Sequence, residues 1–206
     1  AVVMKLGTDD EMLAAVSETR RKTIHAGVRG GLEAHVISPA NGMDRFFEIY
    51  SASMERKDAT SFWRMTREYF SAHFGARGAG NPAMIAVDLG GFITSMAIVI
   101  AGGRYAHYQF AASIDRPPQG SSDLCVMEAA RFARDAGSEF LHLGGGATSS
   151  EDDTLLWYKA GFSKLVEPVF LVRRIFDTAA YQELCTAAKT KANDISFFPS
   201  YRRAVA

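Results

Sequence analysis

The 206 residues are 48% hydrophobic and 22% charged, enough apolar content to bury the core of one good-sized domain. The 23 basic and 23 acidic residues cancel, which excludes a global field for nucleic acid or anionic membrane and leaves such contacts to local patches. Cys125 and Cys185 lie far apart without metal-ligand spacing, the most apolar run (Phe92 to Ala101) is too short to span a bilayer, and no basic-then-apolar leader opens the chain. A reduced, cytoplasmic location is expected on these grounds.

In chain order, Asp9 to Ala26 carries Met12, Leu13, Val16 and Ile24 at helical spacing, with acids at its start and Arg20, Arg21, Lys22 and His25 at its end, as the helix dipole favours. Leu32 to Ile37 alternates as a strand. Two amphipathic helices follow, Met43 to Glu55 and Thr60 to Phe74. After the loop Gly75 to Pro82 the period changes to two. Ala83 to Leu89, Phe92 to Ile100 and Arg104 to Ser113 read as strands joined by Gly-Gly turns, an antiparallel meander.

The second half alternates. Asp123 to Ala136 is expected as a helix, Phe140 to Leu143 as a strand, Asp152 to Lys159 as a helix, Glu167 to Ile175 as a strand and Thr178 to Lys189 as a helix, with an irregular tail. This order describes an α/β (α+β) fold, a mixed sheet with helices packed on it. One domain over 1–206 is expected, with 1–31 as a lead-in helix region and 190–206 as a C-terminal tail.

LHLGGGATSSEDDTLLWYKAGFS, Leu141 to Ser163, places three glycines between a strand and a helix. A phosphate cradle needs N–H groups and a helix N-terminus free of negative charge. Here Glu151, Asp152 and Asp153 occupy the expected first turn, and neither the GxGxxG nor the GxxxxGK[ST] spacing is present. The residues instead read as a sharp exit from a strand, with Ser150 as the cap and Asp153 closing a capping box. Capping leaves unexplained the lysine one turn on, in WYKAGFS.

That stretch resembles the "LGG…DD-L-aromatic-Lys-x-x-Phe" segment of the C-terminal GNAT-like module of Fem-type aminoacyltransferases. SETRRKTIHAGVRGGLEAHV, FFEIYSASMERKD, RYAHYQFAAS and VFLVRRIFDTAAYQELC are similar, in order, to other segments of that module. The resemblance implies a GNAT-like, largely antiparallel sheet with helices on both faces. It also implies transfer of an amino acid from aminoacyl-tRNA, a co-substrate and no bound cofactor, to the free amine of a peptide: a peptidoglycan precursor or a peptide natural product such as an antibiotic. Typical family members are about twice this length, with two GNAT-like modules, more than the usual size of one domain; the chain, which opens on Ala1, resembles only the second, so it is either a fragment or a short relative. The alternatives are an acyl-CoA N-acyltransferase and a module that only binds peptide or tRNA.

The same resemblance assigns roles. Lys159 matches a lysine beside the reacting groups, where a cation would stabilise the oxyanion formed when an amine attacks an ester; Tyr158 would line that site. Arg56 matches an arginine able to hold an acceptor carboxylate or phosphate, and Tyr108 lies in a strand matched to acceptor contacts. From the residues alone, each also reads as a helix-end charge or a packed aromatic. A tRNA donor needs cations for its phosphates. Arg20, Arg21, Lys22 and Arg29 form one basic cluster, and Lys189, Lys191, Arg202 and Arg203 another. For acyl-CoA, DRPPQGSSDL carries Arg116, Gln119 and Gly120 at the wrong spacing, and its two prolines remove N–H donors; RGAG, Arg77 to Gly80, precedes a strand. No metal or serine-triad pattern is present, and His142 reads as a packed histidine.

Overall fold

The computed structural model describes residues 1–75, 80–148, 150, 152–170, 172–194 and 197–203. They fall into two compact units, Ala1–Pro168 and Val169–Ala206. In the larger unit, β1 (Val2–Lys5), β2 (Leu32–Ile37), β3 (Asn81–Leu89), β4 (Phe92–Gly102), β5 (Tyr105–Ser113) and β6 (Phe140–Gly144) form one sheet in the order β1-β6-β5-β4-β3-β2. Neighbours are antiparallel except β5 and β6. The expected mixed, largely antiparallel sheet is present.

Alternation along the central strands sends side chains to two cores. Ile85, Val87, Ala97 and Val99 pack with α1 (Asp9–Ala15), α2 (Glu18–Arg29) and α5 (Ser121–Asp135). Met84, Ala86, Met96 and Ile98 pack with α3 (Pro39–Arg56) and α4 (Arg67–Gly75). The central strands are therefore apolar on both faces, and the helices lie on both. Phe46, Tyr50, Phe70 and Phe110 interlock edge to face in the second core, with Phe46 and Phe70 centroids 5.1 Å apart.

Several expected boundaries move, each for a local reason. The helix read over Asp9 to Ala26 is two helices: Val16 is buried in extended backbone, and Ser17 caps α2 by accepting from the Arg20 N–H. Helix α3 starts earlier than Met43, because Ser38 caps it and Pro39 occupies its first turn, where a missing N–H costs nothing. Thr60 to Phe74 is a short 3-10 turn, Ser61–Trp63, followed by α4. Strand β1 was not read from the sequence; four residues carry too little pattern. Its presence matters for the expected strand Glu167 to Ile175, which does not form among the described residues. Strand β1 already covers the outer edge of β6, and only Val166 bridges to Val2. Phe170, Val172 and Phe176 are exposed instead.

Helix α6 (Thr154–Ala160) completes the larger unit. In the smaller unit α7 (Thr178–Ala187) is capped by Asp177, and Tyr181 Oη donates to Ser200 Oγ at 3.0 Å.

Candidate active site

Strands β5 and β6 pair only through Tyr105–His107 and Phe140–His142. Beyond that they separate, and the opening is a cleft of about 850 Å³. A bulge shapes it: Val99 faces Tyr108 and Ile98 faces Phe110, so Gln109 is the extra residue on β5. Because strand side chains alternate with period two, one extra residue reverses the faces after it. Ala106 and Tyr108 stay with the α5 core, whereas Phe110 and Ala112 join the α3 core. The cleft is thus walled from both faces of the sheet, by Tyr108, Cys125 and Phe162 on one side and Tyr50, Met96 and Phe110 on the other.

Lys159 reaches this cleft from the last turn of α6. Its ammonium donates to the Gly145 carbonyl at 2.7 Å, which engages one of its three donors. Burial pulls its pKa below the ordinary lysine range, against a smaller opposing pull from Asp153. A desolvated cation acts on a nearby developing charge with a stronger field than one in water.

The loop that follows the triple glycine holds the protein's own carboxylate. Asp153 Oδ1 accepts from the Leu156 N–H at 2.8 Å, and Oδ2 accepts from the Thr148 N–H at 2.7 Å and the Thr148 hydroxyl at 2.9 Å. These bonds, the Leu156 N–H foremost, lower its pKa from 3.8 to about 2. A side chain on Gly146 would come within 2.5 Å of the Asp153 carboxyl carbon, so only glycine permits the approach. The expected cap is therefore corrected: Asp153, not Ser150, caps α6, and the helix begins at Thr154. Asp152 precedes it, and Glu151 lies outside the described residues.

Tyr158, the neighbour of Lys159, also lines the cleft. Its hydroxyl is the buried side-chain polar atom without a hydrogen-bond partner among the described residues. Burial first, then the Asp123 carboxylate, push its pKa upward, so it stays a phenol. Tyr108 is likewise held protonated by burial and by the Cys125 thiol, itself raised to about 12. The cleft floor is thus uncharged.

Arg56 lies across the cleft, at the end of α3. Its Nη2 donates to the Ser113 carbonyl at 2.8 Å and its Nε is 3.9 Å from Asp115. Beside it, hydroxyls of Ser95, Ser113 and Ser122 form a chain with spacings of 2.7 Å and 3.0 Å. The sequence-derived residues Lys159, Tyr158, Arg56 and Tyr108 therefore share one cleft.

The basic residues are placed differently. Arg20 is turned inward: its side chain is 15% exposed, 3.5 Å from Asp123, with the guanidinium 4.3 Å from the Tyr158 ring centroid and 5.3 Å from that of Trp157. It is not an open phosphate contact. Arg21 donates to the Ala14 carbonyl at 3.0 Å, and Lys22 pairs with Glu18 at 2.7 Å on the surface. Arg202 and Arg203 are exposed in the smaller unit, where Arg203 pairs with Asp194 at 2.6 Å. Of the two loops weighed for acyl-CoA, Arg116 and Pro117 form part of the cleft rim, while Arg77 to Ala79 lie outside the described residues. His142 lies beside His107, with ring centroids 5.1 Å apart and planes tilted by 42°, and no cluster of three metal-ligating side chains occurs among the described residues.

Sequence reasoning passed over Asp123 and Cys125. Asp123 is 5% exposed, and an acid in the first turn of a helix reads as a dipole partner; only the fold shows that it faces Arg20.

The acetyltransferase (GNAT) domain family matches residues 14–162. A UDP-N-acetylmuramoylpentapeptide-lysine N(6)-alanyltransferase of Weissella viridescens is 28% identical over 170 residues, which cover 82% of this chain and 49% of that protein. The chain thus spans about half the length of that relative. The crystal structure of FemX superposes with a TM-score of 0.67 at 13% identity, over 78% of this chain and 57% of its own. An aminoglycoside acetyltransferase from an uncultured soil metagenomic sample superposes with a TM-score of 0.53 at 13% identity, over 73% of this chain and 99% of its own. The two structures attest the fold, and the Fem-type resemblance read from the sequence agrees with the alanyltransferase and FemX matches.

Proposed function

This chain belongs to the acetyltransferase (GNAT) domain family, and from that premise we propose that it transfers an aminoacyl group from aminoacyl-tRNA to a free amine of a peptide acceptor, such as a peptidoglycan precursor. The observation that carries the proposal is the cleft itself. It is walled from both faces of the sheet and holds the half-buried cation of Lys159.

In this reading the acceptor amine attacks the ester carbonyl carbon. Negative charge collects on the carbonyl oxygen, and the Lys159 ammonium stabilises it. Collapse of the tetrahedral intermediate forms the amide bond and breaks the ester bond, and the proton lost by the amine ends on the leaving ribose hydroxyl. Tyr108 and Tyr158, held neutral, offer hydrogen bonds without adding charge. Arg56 anchors an anionic group of the acceptor.

A second reading, acyl-CoA-dependent N-acylation, is favoured by the fit to nearly the whole length of a single-module acetyltransferase. Incubation with charged tRNA and with acetyl-CoA, each with lysine-containing peptides, separates the two by the mass added to the peptide.

A further inference from the structure

We propose that Arg20 is a positioning residue, which docks α6 on α2 and α5 and thereby fixes Tyr158 and Lys159 in the cleft. Independent interactions converge on it. The guanidinium pairs with the buried Asp123 of α5 at 3.5 Å. It also lies in cation–π range of two rings on α6, with Cζ 4.3 Å from the Tyr158 centroid and 5.3 Å from that of Trp157. One turn earlier, the Ser17 N–H at the start of α2 donates to the Gly161 carbonyl at the end of α6, at 2.8 Å. Gly161 completes the fit, since a side chain there would lie 2.9 Å from Arg20 Cγ and 3.0 Å from its Nε.

Helix α6 is seven residues long and buries no residue fully; its Leu156 and Tyr158 are only partly buried against the larger core. A helix that short is not stable alone, so its orientation must come from tertiary packing. Arg20 supplies it where it matters, on the ring adjacent in sequence to Lys159. Arginine suits the task because one planar, forked group both pairs with a carboxylate and stacks on aromatic faces, where lysine offers only a compact point charge. This differs from the role weighed for the basic cluster in the sequence, a contact to tRNA phosphate.

The consequence for turnover rests on the transfer reading, but the docking does not, and the test separates them. Arg20→Gln alone leaves Asp123 buried without its cation, so the decisive variant is the neutral pair Arg20→Gln with Asp123→Asn, alongside Arg20→Lys. Hydrogen exchange followed by mass spectrometry is expected to show the α6 amides exchanging roughly tenfold faster in the neutral pair, with β3 and β4 unchanged. Arg20→Lys should show a smaller acceleration. In transfer assays kcat should fall roughly tenfold with KM for charged tRNA within about twofold. Wild-type protection of α6 in the neutral pair would overturn the docking role. A raised KM for tRNA with a flattened salt dependence, at unchanged α6 protection, would return Arg20 to nucleic-acid binding. Should the wild type transfer nothing, the function fails and the exchange measurement still decides the docking.

Discussion

Lys159 donates a 2.7 Å hydrogen bond to the carbonyl of Gly145, so the last turn of α6 and the loop leaving β6 are joined at the cleft. Lys159→Met removes the cation and keeps much of the stem. Transfer is expected to fall roughly tenfold or more, mostly in kcat, as for a group that acts in the transition state. Stability should respond in the opposite sense. Burial holds the folded-state pKa of Lys159 down, so the wild type carries a penalty for its charge that the variant lacks. The penalty fades as pH rises through the folded pKa. Melting curves should therefore show the variant's relative gain shrinking between neutral pH and about 10, the unperturbed lysine range.

Asp153 gives a pH signature of the opposite sign. Its folded carboxyl titrates at about 2 against an ordinary 3.8, which adds stability above the ordinary value that is lost as pH falls toward 2. Asp153→Asn should be less stable than wild type at pH 7 and should converge with it near pH 2, as followed by denaturant unfolding. A gap that persists at pH 2 would assign the effect to packing.

Arg56 is expected to act on binding. Arg56→Lys keeps a charge but loses the fork that spans Ser113 and Asp115. Acceptor KM should rise by about tenfold with kcat little changed. A fall in kcat alone would place Arg56 among the groups that act in the transition state.

The acyl-CoA reading makes its own prediction. The loop before α5 has Pro117 and Pro118, which lack N–H groups, and the Ser121 N–H is already bonded to the Pro118 carbonyl at 3.1 Å. These three positions therefore offer no free N–H to a pyrophosphate. Calorimetry with coenzyme A should give binding weaker than micromolar, and a micromolar constant would favour that donor instead.

Surface cations are tested separately. Charge reversal at Arg21 and Lys22, or at Arg202, should weaken tRNA binding and lower the slope of its salt dependence by about one for each phosphate no longer neutralised. An unchanged slope assigns these side chains to the solvated surface.

Much of the fold was legible because it rests on local pattern. The Gly-Gly turns fixed the meander, and the alternation of apolar residues in β3 and β4 announced strands. What was not legible depended on distant partners. Gln109 carries no mark of a bulge, yet it sends Tyr108 and Phe110 to opposite faces and so shapes the cleft. Arg20 looked like one cation in a basic run until Asp123, 103 positions on, came opposite it. The segment after Glu167 has a strand's composition, yet no strand forms there among the described residues. Lys159, Tyr158, Arg56 and Tyr108 were found through family resemblance, since none differs in its local sequence from a structural residue of the same type.

Aminoacyl transfer to a peptide amine in the Lys159 cleft can be read by mass spectrometry of lysine-containing acceptor peptides incubated with a charged tRNA pool. The expected result is a mass increase equal to one amino-acid residue on the acceptor amine, dependent on charged tRNA and largely abolished in Lys159→Met. No increase with charged tRNA, together with acylation from acetyl-CoA, would contradict it.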